Sequence, residues 1–533
     1  MVPWPSFGGR RSPRGELKAL NHLAKTIALA AVLVAGCGDV GTVVFDVEAP
    51  SAPELDPRTG TSTLELSSER PGQPPVVARV TLAGRMGDLS LGDVPLGPAV
   101  SFQLRGFSEA NQVVAYGKAG PVTVEGAGET HVTIPVRRPF AYVAGRFFAP
   151  ANTGAVKLYD TGNVLGAMTP EVTMPGVFPV GVALSDDGRT LLMSAASPTI
   201  GQAVVVDTLT HMQRGMVMLT AVPGAVALTP NAKLGAAVHT DANRVSLLDI
   251  DQVRTTPAEP AGAVRVVDNV RQPGAVAAAN DRVFVLAGRP TTMRCGSTPA
   301  PPRSAIVEID LISAAASPER DLGFAARDLA LDPLGNRVLV TDTCGNRVMA
   351  LAPGGTPERL LDIPGPRALS VWKRRLVVAG GTSTQPATAQ LAVADLDAPN
   401  TPPMLFTLKM PDERIEIPLQ NIPGQSVEIR VAPDLVEPLD VALSLDGARA
   451  VVLVHSLHRQ EAITLIADAS TIDSFYLMLI DVQTGSVLSR VRTDCTARVD
   501  GDSRLSLCGE AADSIEPVSS FVPSSAAILW GAP

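Results

Sequence analysis

PVGVALSDDGRTLLMSA, residues 179–195, is the stretch that decides the fold. It opens on Pro179, runs through the apolar Val182-Ala183-Leu184, turns at Asp186-Asp187-Gly188 and closes on a second apolar run. Two short apolar segments around an Asp-Gly turn read as a β-hairpin. The pattern recurs as PGAVALTPNAKLGAAVHT from Pro223, PGAVAAANDRVFVLAG from Pro273 and ARDLALDPLGNRVLVTD from Ala326. It returns as PRALSVWKRRLVVAG from Pro366, as PLDVALSLDGARAVVLVHS from Pro438 and, in degenerate form, as PVSSFVPSSAAILWG from Pro517. A third strand in most units ends in Asp, at Asp160, Asp207, Asp249, Asp310, Asp395 and Asp481.

A unit of roughly 40–50 residues holding about four strands is the mark of a β-propeller. Seven first-strand copies predict a seven-bladed β-propeller over residues 139–533. The last copy has no third strand after it, and FAYVAGRFFAPANTGAVKLYD, at the start of this region, has no Pro-initiated strand before it. The two chain ends are therefore expected to complete one blade together, which removes exposed sheet edges. The register of AAILWG against FAYVAG in that blade stays open. Two intervals are longer and hold insertions, near RIEIPLQNIPGQSVEIRVAP and HRQEAITLIADASTIDS.

The repeats resemble the YVTN and NHL families of bacterial propellers, through Val182–Gly188 and through the turns Asn243-Arg244-Val245 and Asn346-Arg347-Val348. The resemblance implies the fold and leaves chemistry undecided, because propellers host binders, scaffolds and enzymes alike. Upstream, residues 38–138 hold short alternating runs such as STLELS, VVARVTLAG and HVTIPV, the pattern of a small β-sandwich,. Asp93-Val94-Pro95-Leu96-Gly97-Pro98 resembles the turn of prealbumin-like and carboxypeptidase-regulatory-like domains, which implies a spacer.

Residues 1–37 carry a positive flank, Arg10 to Lys25, then the apolar TIALAAVLVAGC, the layout of an export signal,. The run is too short to cross a bilayer as a helix. Leu33-Val34-Ala35-Gly36-Cys37 resembles the lipobox of bacterial lipoproteins, which implies a lipid on Cys37 and a place at the outer membrane or cell surface. Membrane attachment is expected through that lipid alone.

Net charge is −9 with no basic block, which excludes the usual nucleic-acid binding surface,. An apolar content of 45% argues for a folded body,. With Cys37 set aside, Cys295, Cys344, Cys495 and Cys508 remain, an even number in an exported chain, and disulfides are expected,. Proximity favours Cys495 with Cys508, and Cys295–Cys344 would then join neighbouring repeats. No Cys-x-x-Cys spacing supports zinc instead.

The recurring strand-end Asp reads as structural, an acceptor for backbone N–H groups of the following turn. Positions just after each starting Pro are expected to face the central channel: Gly181, Ala225, Ala275, Asp328, Ala368, Asp440 and Ser519. Asp328 and Asp440, with Arg327 and Arg367 beside them, are the candidate ligand-binding residues. His455 and His458 are close in sequence, yet a three-residue gap outside a helix is a poor metal signal. No nucleophile elbow or phosphate loop occurs, and neither a catalytic residue, a metal nor a cofactor is assigned. The expectation is a monomeric, non-catalytic binding or scaffolding propeller. Its partner would be an envelope or surface protein, or a small ligand at the propeller mouth. The alternative is a calcium-dependent hydrolase of the lactonase or esterase type, since such propellers resemble these repeats in fold.

Overall fold

The computed structural model describes residues 40–528 apart from short interior stretches, the longest being 500–520. Cys37, Cys508 and Ser519 lie outside the described residues.

The chain is all-β in a propeller arrangement. Six blades, each of four consecutive antiparallel strands, occupy residues 178–219, 226–268, 275–321, 326–362, 366–408 and 435–499. Their inner strands include Phe178–Leu184, Ala326–Asp332, Pro366–Trp372 and Leu435–Leu443, which match the repeated hairpins in the sequence. Thr190–Ala196, a second strand, is buried at every position. A blade's middle strands are covered on both faces by neighbouring blades, so they read as continuous apolar runs rather than alternating ones.

A further four-stranded sheet is composite. The C-terminal strand Phe521–Ile528 pairs antiparallel with Phe140–Phe147, which leads on to Gly154–Asp160 and Ala167–Met174. Ala526 lies opposite Val143, which fixes the register the sequence left open. One face of this sheet packs Val143 and Tyr159 against Leu453 and Leu479 of the sixth blade. The other packs Tyr142 and Leu158 against Leu191 and Met193 of the first. The degenerate copy needs a correction. Its strand begins at Phe521, and the register shift at Pro523/Ser525 repeats the shifts at Pro179/Gly181, Pro366/Ala368 and Pro438/Asp440. Pro523 rather than Pro517 is thus the starting proline, and Ser525 rather than Ser519 holds the channel register. The bulge after the proline marks the position, and a sequence pattern without it slips.

Each strand-end Asp caps its turn. Asp207 Oδ1 accepts from Leu209 N at 2.8 Å, Asp310 Oδ1 from Ser313 N at 2.6 Å and Asp481 Oδ1 from Thr484 N at 2.8 Å. Asp160, Asp249 and Asp395 do the same for Gly162, Gln252 and Asp397. These bonds satisfy donors that the tight turn would otherwise leave without partners.

Seven strands between Val40 and Arg137 form one sheet around a core of Val43, Phe45, Leu66, Phe102, Leu104 and Ile134. Phe45 meets Phe102 edge to face, ring centroids 5.1 Å apart. This N-terminal unit is bolted to the blades through Arg137, which is fully buried and donates to Gly188 O and Thr208 Oγ1. Glu48 reaches Arg189 at 3.8 Å and Glu69 reaches Lys373 at 3.9 Å.

Candidate functional site

Strands in a blade alternate in direction. The start of each inner strand, the end of the second and the start of the third therefore meet at one end of the propeller. Gly188, Arg189, Thr208 and Lys373, which hold the N-terminal unit, all lie at the other end, so that end is closed. The meeting point of the strand starts is the open end.

The three longest connections between propeller strands leave from the open end, 288–304, 409–434 and 500–520, while the closed end holds 250–263 with its short helix Ile250–Thr255. At the closed end the connections between first and second strands are short, such as 279–281 and 373–374. The connection 409–434 contains a hairpin, Glu413–Pro418 paired with Ser426–Val431. Glu413 fastens it to the sixth blade, accepting from Arg492 at 2.9 Å, from Ser474 at 2.8 Å and from the Tyr476 hydroxyl. Arg492 and Glu413 are both almost fully buried, a pair that needs its hydrogen bonds to offset desolvation. Val431, paired with Glu413 at the same end of the hairpin, accepts from His458 Nδ1 at 2.9 Å.

The sixth blade is also taller than the rest. Arg449–Gln460, Ser470–Asp481 and Val487–Val499 run 12, 12 and 13 residues. Five residues beyond His455 at a strand's rise add a wall about 17 Å high beside the open mouth.

At the foot of this wall lies a charged arc over three blades. Arg367 donates to Glu437 at 2.6 Å, and His455 bonds Asp473 at 2.9 Å. Glu437 stands 3.9 Å from the other ring nitrogen of His455, which is an attraction of charges rather than a hydrogen bond,. The imidazole stacks on Phe475, centroids 4.9 Å apart. Burial opposes charge on His455, but Asp473 and Glu437 outweigh it and lift the pKa to about 9. Glu437 is held below the usual carboxylate range by His455, against the effect of burial, with Arg367 and Arg327 adding to the pull. The ring is therefore cationic at neutral pH.

Of the residues expected from sequence, Arg327 and Arg367 sit at the inner-strand bulges, where an extra residue re-aims side chains,. Both belong to the arc. Asp328 Oδ2 accepts from Leu369 N at 2.9 Å, a tie between the fourth and fifth inner strands. Asp440 Oδ1 accepts from Val441 N at 2.8 Å. Among the described residues no group of three His, Cys, Asp or Glu is arranged to hold a metal ion. Glu437 and Asp473 were not anticipated, and His455 was weighed only as a poor metal signal beside His458.

Cys295 and Cys344 form a disulfide with Cα atoms 5.2 Å apart. It fastens the connection 288–304 of the third blade to the turn 343–346 of the fourth, at the open end. The backbone of Cys495 lies in Val487–Val499.

No protein-family model matches this chain, and no curated protein matches it either. Among solved structures, a nidogen/laminin complex is similar at 12% identity, over 51% of this chain and 93% of that one, with a TM-score of 0.34. The hydrazine synthase of Kuenenia stuttgartiensis is similar at 17% identity, over 52% of this chain and 76% of that one, with a TM-score of 0.37. Likenesses this remote bear no functional argument.

Proposed function

We propose that this chain is an envelope-anchored binding or scaffolding module that engages its partner at the open end. One observation carries the reading: the three longest connections, 288–304, 409–434 and 500–520, leave from the end opposite the N-terminal unit. Loops on a rigid scaffold are where recognition concentrates. The composite sheet counts as a seventh blade that completes the ring. Residues 38–138 act as a sandwich spacer, and a lipid on Cys37 holds the spacer to the outer membrane or cell surface. The partner is an envelope or surface protein, or a small ligand at the mouth.

Site-specific photo-crosslinking in intact cells tests this. A crosslinker at Asp268 or Arg303, exposed at the open end, should give discrete adducts. The same group at Asp251 or Glu358, exposed at the closed end, should give none. Adducts from the closed-end positions alone would sink the reading. In the same fractions Cys37→Ser should move the chain from membranes to the soluble envelope.

A further inference from the structure

The closed end carries a cleft of a different character, between the fifth and sixth blades. Its volume is about 490 Å³, and its lining includes Trp372, Lys373, Arg375, Val393, Ala394 and Met404. That volume suits a small molecule, and pockets for small molecules pair an apolar lining with a few polar groups. Trp372 ends the fifth inner strand, and Met404 begins the outer strand of the same blade. Met404 is 46% exposed, an unbranched thioether left at the surface of the same cleft as the Trp372 indole,.

The charge at this cleft is mostly positive, Lys373, Arg374 and Arg375 against the carboxylate of Asp395. The Lys373 side chain is 60% exposed and meets Glu69 only at 3.9 Å. Arg375 donates to Gly447 O at 2.7 Å, which pins its guanidinium at the cleft rim. Lys118 of the N-terminal unit lies 5.8 Å from the Trp372 ring centroid. Arg374 is engaged elsewhere, by Asp332 and by Asp397 at 2.7 Å. Asp395, the carboxylate in the lining, keeps its charge while it accepts from Asp397 N at 2.9 Å, and Lys373 and Arg375 outnumber it. An apolar floor thus ends at a cationic rim.

We propose that this cleft binds a single-chain amphipathic anion, a long-chain carboxylate, its alkyl chain along Trp372, Val393 and Met404 and its head at Lys373 and Arg375. The complementarity is of charge at one end and of apolar surface at the other. A neutral chain gains half of this, and a small anion the other half. The site is separate from the open-end face and stands or falls without it.

Calorimetric titration of the chain from residue 38 with octanoate, decanoate and dodecanoate, kept below micelle formation, tests the proposal. Affinity should rise roughly threefold to fourfold per methylene, the usual gain for a buried CH₂. Dodecanol should bind more weakly than dodecanoate, and added salt should narrow that difference. Lys373→Glu should weaken dodecanoate roughly tenfold or more, and Met404→Asp should flatten the chain-length trend. Both positions are exposed, so unchanged thermal melting will show that the variants fold. Arg303→Glu, at the open end, should change nothing. No binding heat, equal affinity in Lys373→Glu, or no trend with chain length would each overturn the assignment.

Discussion

His455 and His211 set opposite slopes on stability against pH, and together they place its maximum. The His455 ring is raised to about 9 by Asp473 and Glu437 despite burial, from an unfolded value of 6.5. A proton bound more tightly in the native state stabilises it, by roughly 1.4 kcal/mol per unit. Two and a half units are worth about 3 kcal/mol, and with the side chain 18% exposed, solvent screening removes little of it,. That stability is complete below pH 6.5 and is lost as pH rises through 9. His211 is the reverse case. Burial drives it down to about 4, with Arg137 adding to the effect, while Tyr142 OH lies 3.2 Å from Nε2. Its contribution is complete above pH 6.5 and is lost as pH falls toward 4, again on the order of 3 kcal/mol. Urea unfolding across pH 5–9.5 should therefore show a maximum near pH 6.5. His455→Gln should flatten the alkaline limb and leave the acid limb in place. Histidine-selective NMR should find one ring titrating near 9. Parallel alkaline limbs in the two proteins, or a His455 resonance titrating near 6.5, would refute the electrostatic account of the arc.

Removing residues 521–533 should abolish the cooperative transition rather than lower it slightly, because Phe521–Ile528 is an edge partner of Phe140–Phe147 and lies between two blades. A truncated chain that melts like the full one would contradict this. Replacing Cys295 and Cys344 by Ser should cost about 4 kcal/mol, the loop-closure value for a sequence separation of 49,. A non-reduced digest of the full chain should yield the Cys295–Cys344 peptide, and should join Cys495 to Cys508.

The repeated hairpins were legible because their signals are local. A proline, an apolar triplet and a Gly or Asn turn lie within one short stretch, and the strand-end Asp bonds a backbone only two or three residues away. Joining the chain ends was legible by elimination, since each terminal unit lacks what the other holds. The starting proline of the last strand was not, because Pro517 and Pro523 both precede small residues and a bulge leaves no compositional trace. The charged arc was hidden for a geometric reason. Glu437 and His455 face each other by strand register, and Arg367 comes from the neighbouring blade. The sequence drew the eye instead to His455 and His458. Residues three apart in a strand point to opposite faces. His458 accordingly turns to Val431 and Ser456, while His455 turns to the arc.

The composite sheet has a consequence for the order in which the molecule is made. Phe140–Phe147 is synthesised before the six blades, and Phe521–Ile528, which pairs with it, is synthesised after them. Contacts between such distant segments are slow to form, because the loop they close must be ordered first. Six blades can assemble while synthesis continues, each from its own hairpins, but the sheet that joins the sixth blade to the first must wait for Phe521–Ile528 to gain its fourth strand. Until then Phe140–Phe147 keeps an unpaired edge between the first blade and the sixth, the kind of surface that chaperones and proteases recognise,. A chain cut short by a ribosome or a protease would stay in that condition permanently. Placing Phe521–Ile528 innermost thus leaves any copy cut before it with an open sheet edge, and such copies are marked for removal by their own geometry.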